Sequence, residues 1–186
     1  MFKVIKEFWM DLIPENLMPE SPISKEKSIS MSIEELKKSA KAIHPAGFYV
    51  LASKLFKENK KDESIFWFYV GSVRYRYFLS SVGDSPFHPE NELFGRVQFE
   101  IGGMILDYAG GNPDFWAQQI AEANQWDSDH ANVFFSKSTH PKALQEVKQG
   151  MEKLRVTLLA QKEEMIRQRI EKRRRGKSVS FAIKTR

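Results

Sequence analysis

Four histidines and one short polar cluster are the residues whose chemistry could support catalysis or metal binding. His44, His88 and His140 each precede a proline, which indicates a turn or a helix start, and the histidine spacing matches no metal-ligand motif. Carboxylates and an imidazole gather only at Asp127 to His130. Because Asp, Ser and His neighbours in a loop usually cap helices and form turns, we interpret this cluster as structural and keep catalysis as the weaker alternative.

Residue types and motifs exclude several classes of site. The chain has no cysteine, so it has no disulfide framework, no thiolate metal site and no cysteine nucleophile. It also lacks a Walker loop, a nucleophile elbow, a dinucleotide fingerprint and the paired histidines of a zinc-protease helix. We therefore expect no metal ion and no cofactor, and we favour a binding role over catalysis.

The most aromatic segment of the chain places two arginines between tyrosines, in the run from Val73 to Tyr77. One alternative is that both arginines extend to solvent or pair with carboxylates of neighbouring helices. The other is that they lie at the edge of a concave groove and contact an acidic protein or peptide, since arginine and tyrosine dominate interface energetics. On this second hypothesis the partner-binding residues are Arg74, Tyr75, Arg76 and Tyr77.

The net charge of +5 is unevenly distributed. Residues 167–186 hold nine Lys or Arg and one Glu, a net charge of +8, so the rest of the chain carries −3. With few aromatic residues in this segment, binding there would engage phosphates and not bases. Nucleic acid or an anionic membrane is therefore an alternative partner, and a solvated tail without a ligand is a further possibility. The phosphate-binding candidates are Arg167, Arg169, Lys172, Arg173, Arg174, Arg175 and Lys177.

Apolar residues recur at helical spacing along most of the chain and predict an all-α fold, a compact bundle of about five to seven helices. Residues 1–30 are expected to form an N-terminal helix followed by a proline-rich extended connector. Residues 31–172 form the helical domain. Residues 173–186 are basic and lack a core-forming pattern, so we expect a tail there.

Within the domain, Ser32 and Glu35 have the spacing of a capping box that starts a short helix. A helical hairpin is predicted from His44 to about Ser80. Its second helix carries aromatic residues around the whole circumference, which predicts that it is buried at the centre of the fold. The remaining expected elements are helices over Asn91 to Tyr108 and Pro113 to Trp126, a loop from Asp127 to His140, and a long C-terminal helix from Pro141.

The hairpin has a recognisable pattern. Its first helix reads H-P-A-x-x-Y-x-L-A-x-x-L-F from His44 to Phe56, and its second begins K-K-D-E-S-x-F-W-F-Y from Lys60 to Tyr69. This pair resembles one tetratricopeptide or Sel1-like unit, although Ser64 stands where those families have alanine. The resemblance implies two antiparallel helices and a role in protein binding, and no second copy of the unit occurs at the expected period.

These observations favour a non-catalytic protein-interaction module, such as a bacterial adaptor or a toxin-neutralising immunity protein, that binds a protein or peptide with an acidic patch. Nucleic-acid or anionic-membrane binding through the basic segment is the alternative, and a homo-oligomer remains possible. Charged residues interrupt the N-terminal apolar stretch, and no run reaches the ~18 apolar residues of a membrane span. We therefore expect a cytoplasmic protein.

Overall fold

The computed structural model of the protein describes the backbone of residues 22–82, 88–134 and 137–184, and side chains as far as residue 175. The fold in these ranges is all-α, as the sequence predicts, with one isolated parallel bridge between Ile23 and Ile43. The described ranges form eight helices: α1 (Lys25–Ser30), α2 (Ile33–Lys38), α3 (Pro45–Lys57), α4 (Lys61–Val82), α5 (Pro89–Glu100), α6 (Gly102–Ala109), α7 (Pro113–Asp129) and α8 (Pro141–Lys184).

Helices α3 and α4 form the predicted hairpin. The Nδ1 atom of His44 caps α3 by accepting a hydrogen bond of 3.1 Å from the Ala46 N–H. The turn to α4 passes through Asn59 with φ of 63°, a left-handed conformation that asparagine adopts more readily than most residues. A Cβ atom at Gly71 would lie 2.8 Å from the Phe48 Cβ, so this glycine permits the close approach of the two helices.

Helix α4 is the central helix, as its aromatic content predicts. It packs against α3, α6, α7 and α8. Trp67 is 7% exposed, stacks on Phe48 with ring centroids 5.9 Å apart, and meets Trp126 edge-on at 5.3 Å. Aromatic rings from three helices therefore fill the space around the middle of α4.

The structure differs from the sequence prediction on both sides of the hairpin. The expected connector contains α1, because Ser24 caps a helical turn by accepting a hydrogen bond of 3.3 Å from the Lys27 N–H. The expected helix from Asn91 to Tyr108 is divided at Ile101 into α5 and α6, and Gly102 begins α6 against the Phe68 ring. These two differences raise the number of helices above the predicted range. The expected N-terminal helix lies outside the described residues.

The largest correction concerns the C-terminal segment. Helix α8 has 44 residues, so it is roughly 66 Å long, and it continues through most of the region predicted as an irregular tail. The segment favours a helix because Arg, Lys and Glu have high helix propensity and no proline follows Pro141. None of the described helices has the length and apolarity needed to cross a bilayer.

The position of Trp67 gives a direct test of the core. Trp67→Ala should lower the free energy of unfolding by about 3 to 5 kcal/mol, because it removes a buried ring and leaves a cavity. Phe99→Ala is the matched control: Phe99 is 84% exposed, so its loss should change stability by less than about 0.5 kcal/mol. Chemical denaturation measures both values. Equal, small losses would show that Trp67 does not anchor the core.

Candidate functional site

Arg74, the first arginine of the predicted partner-binding set, lies inside the domain. Its side chain is 1% exposed, and its Nε atom donates to Asp127 Oδ1 at 3.0 Å. The other guanidinium nitrogens donate to the carbonyl oxygens of Ala40 at 2.8 Å and Ala131 at 2.9 Å. The guanidinium also lies over the Trp126 ring, 4.8 Å from its centroid. Arg74 therefore joins four segments of the chain and is not available to a partner.

Two of the three remaining members of this set are also buried. Tyr75 is 0% and Tyr77 is 2% exposed, so the hypothesis of a surface site made of the whole run is wrong. The physical reason is that α4 is covered on several sides, which leaves only Arg76 exposed. The Arg76 guanidinium lies over the Phe94 ring, 5.2 Å from its centroid, and its Nη1 atom donates to the Ser72 carbonyl oxygen at 3.4 Å.

The polar cluster from Asp127 to His130 is used in folding. Asp127 is 2% exposed, and besides Arg74 it faces Lys137 at 3.5 Å and Lys148 at 4.0 Å. The His130 ring stacks on Trp126 with centroids 4.1 Å apart. Across the described residues, no group of three or more His, Cys, Asp or Glu side chains could hold a metal ion. The arrangement of this cluster is that of a buried charge network, not of a nucleophile with its base.

A second buried polar cluster centres on Glu90 at the start of α5. Its carboxylate accepts hydrogen bonds from Lys25 Nζ at 2.8 Å and from the Tyr75 hydroxyl at 2.5 Å, and it lies 3.6 Å from His44 Nε2. Burial lowers the pKa of His44, although Glu90 opposes this effect. Burial alone would raise the pKa of Glu90, but the hydrogen bonds from Lys25 and Tyr75 and the charge of His44 outweigh it and hold that pKa below its ordinary value.

An open groove lies between α1, α3 and α5, beside this cluster. Its volume is about 390 Å³, within the range of small binding pockets. The groove is predominantly apolar, and Ile29 at its edge is 65% exposed. Charged side chains also line it: Lys25, Glu26, Glu92 and Arg96. This "α1/α3/α5 groove" is formed by residues of different helices, and the sequence analysis did not identify it.

The predicted phosphate-binding residues lie along the distal half of α8, where the structure separates them by environment. Arg169 is held by α6, because its Nη1 atom donates to the Asp107 carbonyl oxygen at 2.5 Å and approaches the Asp107 carboxylate at 3.3 Å. Arg167 pairs with Glu164, and Arg175 pairs with Glu171, both along the helix surface. Exposed side chains without an ion pair to any described residue are Lys172, Arg173 and Arg174. The side chain of Lys177 lies outside the described part.

The same half of α8 also carries an apolar stripe that faces solvent, which the sequence analysis missed. Val156 is 52%, Ile166 is 40% and Ile170 is 48% exposed, and Leu159 is half-buried. These four residues, which we call the α8 seam, follow helical spacing with Glu163 among them. A different face of the helix, which includes Met151 and Leu158, packs on the domain. Helix α8 is therefore apolar on two sides, and only one of these sides packs against other described residues.

The buried arginine predicts a large difference between neighbouring positions of α4. Arg74→Met should lower the free energy of unfolding by about 3 to 5 kcal/mol, because the buried Asp127 carboxylate then loses its ion pair with the guanidinium. Arg76→Met is the matched control, since this arginine is exposed and contributes at most a cation–π contact of about 1 kcal/mol. Urea denaturation of both variants measures the difference. A loss below about 1 kcal/mol at Arg74 would contradict its structural role.

The Glu90 cluster predicts a pH dependence of stability. Both His44 and Glu90 have lowered pKa values in the folded state, so the unfolded chain binds more protons. Their stabilising contribution is present above the ordinary pKa values and is lost as pH falls, first below 6.5 for His44 and then below 4.5 for Glu90. The variant His44→Asn keeps a capping acceptor without the titration. Its melting temperature should therefore fall less than that of the parent between these pH values, and identical profiles would exclude His44 as a contributor.

The chain matches no known protein-family model, no curated protein and no solved structure. The likeness of α3 and α4 to a tetratricopeptide or Sel1-like unit therefore stays a prediction. The described fold presents two apolar surfaces to solvent, the α1/α3/α5 groove and the α8 seam with its basic neighbours.

Proposed function

We propose that the chain is a non-catalytic protein-interaction module that binds a protein or peptide with an acidic patch through the α8 seam. The observation that carries this proposal is the exposure of Val156, Ile166 and Ile170 on a helix whose other apolar face is packed. An amphipathic helix uses such a stripe to pair with a second helix in a coiled coil or to bind in an apolar groove of another protein. An exposed apolar stripe without a partner among the described residues is typical of an interaction surface.

The anchoring of α8 supports a binding role for its distal half. Lys162 pairs with Asp114 of α7 at 3.0 Å, and Arg169 pairs with Asp107 of α6. These contacts fix the rotation of the helix about its axis, so the seam faces away from α6 and α7. A preformed, oriented helix loses less conformational entropy on binding than a mobile tail would.

The charges beside the seam indicate the chemistry of the partner. Arg167 follows Ile166 directly, and Arg173 and Arg174 lie three and four residues beyond Ile170, which places them along the same side of the helix. Cations next to an apolar stripe favour a partner whose own stripe is flanked by Asp and Glu, since the interface potentials are then complementary. This keeps the acidic partner of the sequence hypothesis and moves its site from α4 to α8.

The biological role that suits such a module is a bacterial adaptor or a toxin-neutralising immunity protein in the cytoplasm. In both cases a small helical domain acts by occupying a surface of another protein, and no reacting group is needed. The tetratricopeptide-like hairpin fits this role as the scaffold that supports α7 and α8, because its own concave face is covered.

A second candidate function uses the same helix differently. Lys172, Arg173 and Arg174 are exposed and form no ion pair with the described residues, so they are free to contact the phosphates of nucleic acid or of an anionic membrane. Binding of nucleic acid would leave the apolar seam unused, which is why we place it second. Its dependence on salt would follow the number of phosphates that the helix neutralises.

Two variants distinguish these functions. The seam variant Ile166→Gln/Ile170→Gln should weaken capture of a protein from an extract of the source organism by roughly tenfold or more, the equivalent of about 1.4 kcal/mol. It should leave binding of a fluorescent oligonucleotide within about twofold of the parent, because it keeps the charge of the helix and phosphate contacts do not use the isoleucines. The charge variant Arg173→Glu/Arg174→Glu should weaken both. Met104→Gln changes an exposed methionine on α6 and serves as the control.

One combination of results would contradict the protein-binding proposal. If the seam variant captures the same proteins as the parent while the charge variant loses oligonucleotide binding, then the protein-binding proposal is wrong and the phosphate-binding alternative replaces it.

A further inference from the structure

We infer that the acidic partner of the α8 seam is the α1/α3/α5 groove of a second copy of this chain, so that copies associate head to tail. This inference rests on the proposed function of the seam and names its partner. The two surfaces are the main exposed apolar features of the described chain, and each has what the other lacks: one is a protruding stripe and the other is a recess.

The exposed large apolar side chains support this pairing. Ile29 is 65% exposed at the groove, and Phe99 is 84% exposed on α5. Phe99 lies three residues from Arg96 and seven from Glu92, both of which line the groove, so it extends the same face of α5. A docked helix would cover these side chains together with Ile166 and Ile170 of the seam. Without such a partner, all four remain in contact with water.

The charges of the two surfaces are complementary. At the groove, Lys25 is neutralised by Glu90 at 2.8 Å, and Arg96 lies 3.9 Å from Glu100. Glu26 and Glu92 form no ion pair with any described residue. The groove therefore offers carboxylates without an ion pair, whereas Arg173 and Arg174 beside the seam are cations that form no ion pair with any described residue. Because opposite charges flank the two apolar surfaces, their contact is favourable at the rim as well as at the centre.

Pairing of two identical seams is less favourable for the same reason. In a parallel symmetric contact between two copies of α8, Arg174 of one copy would approach Arg174 of the other, and in an antiparallel contact centred on the seam the two Glu163 side chains would approach each other. Like charges beside an apolar stripe oppose association and act as a device against self-pairing. A contact between unlike surfaces avoids this repulsion, and the groove is the recess with carboxylates that the fold provides.

The contact has to be formed between molecules. Helix α8 is continuous and is attached to α6 and α7 through Asp107 and Asp114, so its seam cannot turn toward a groove built by α1, α3 and α5 of the same chain. A contact between two different surfaces leaves one groove and one seam free at the ends of a dimer. The assembly can therefore grow beyond two copies or close into a ring.

Sedimentation velocity of the full-length chain over a wide range of concentrations tests this inference. The parent should form dimers and larger species as concentration rises, and added salt should weaken them. Ile29→Asp removes the groove edge and Ile170→Asp interrupts the seam; both positions are exposed, so the fold should be preserved, and circular dichroism checks this. Each variant alone should remain monomeric, whereas Met104→Asp should assemble like the parent.

Mixing the two variants gives the decisive result. Ile29→Asp retains an intact seam and Ile170→Asp retains an intact groove, so an equimolar mixture should form a dimer and nothing larger. A parent chain that stays monomeric at all concentrations, or a mixture that stays monomeric, overturns the inference. Assembly that is lost in Ile170→Asp but unchanged in Ile29→Asp indicates seam-to-seam pairing and also overturns it. If the parent is monomeric but captures another protein through the seam, then the proposed function survives and only the self-association is wrong.

Discussion

The buried ion pair between Arg74 and Asp127, together with the backbone hydrogen bonds of Arg74, connects the central helix α4 to three other segments of the chain. Arg74 extends from the middle of α4, and its guanidinium reaches the end of α7, the carbonyl oxygen of Ala40 after α2, and the chain at Ala131. A buried charge of this kind is costly unless its partners are complete. Here the three guanidinium nitrogens donate to the Asp127 carboxylate and to the carbonyl oxygens of Ala40, His130 and Ala131, and aromatic rings cover the guanidinium faces. The pair therefore defines where α7 ends relative to α4.

This use of Arg74 has a consequence for function. Because α4 is covered by α3, α6, α7 and α8, Arg74, Tyr75 and Tyr77 stabilise the domain and cannot also form a binding surface. In an array of helical repeats, the inner faces of such hairpins remain open to ligands. In this chain the following helices occupy that space. The surfaces that we propose for a partner lie on the C-terminal helix α8 and in the groove beside α5, at the edge of the bundle.

The sequence predicted the helices well and their environment less well, for identifiable physical reasons. Helical spacing of apolar residues and the capping signals at Ser32 and His44 are local, so they located the hairpin and the short helix before it. The burial of Arg74 could not be read locally, because its partner Asp127 lies 53 positions away. The helical continuation of α8 was missed because a run of basic residues without an apolar pattern is also typical of an irregular tail. The groove is formed where three helices pack together, and no single segment of the sequence predicts that packing.

The charge division seen in the sequence acquires a spatial meaning through α8. The nine basic residues of the final twenty would form a diffuse cloud of charge on a mobile tail, with little orientation toward any partner. On a helix held by Asp107 and Asp114, the charges as far as Arg175 occupy defined positions beside an apolar stripe. In the proposed function, electrostatic attraction orients an approaching surface before the apolar contacts form, and those contacts supply the affinity. On this proposal the anchoring ion pairs on α6 and α7 contribute to recognition as well as to stability, because they help to determine which side of α8 a partner meets.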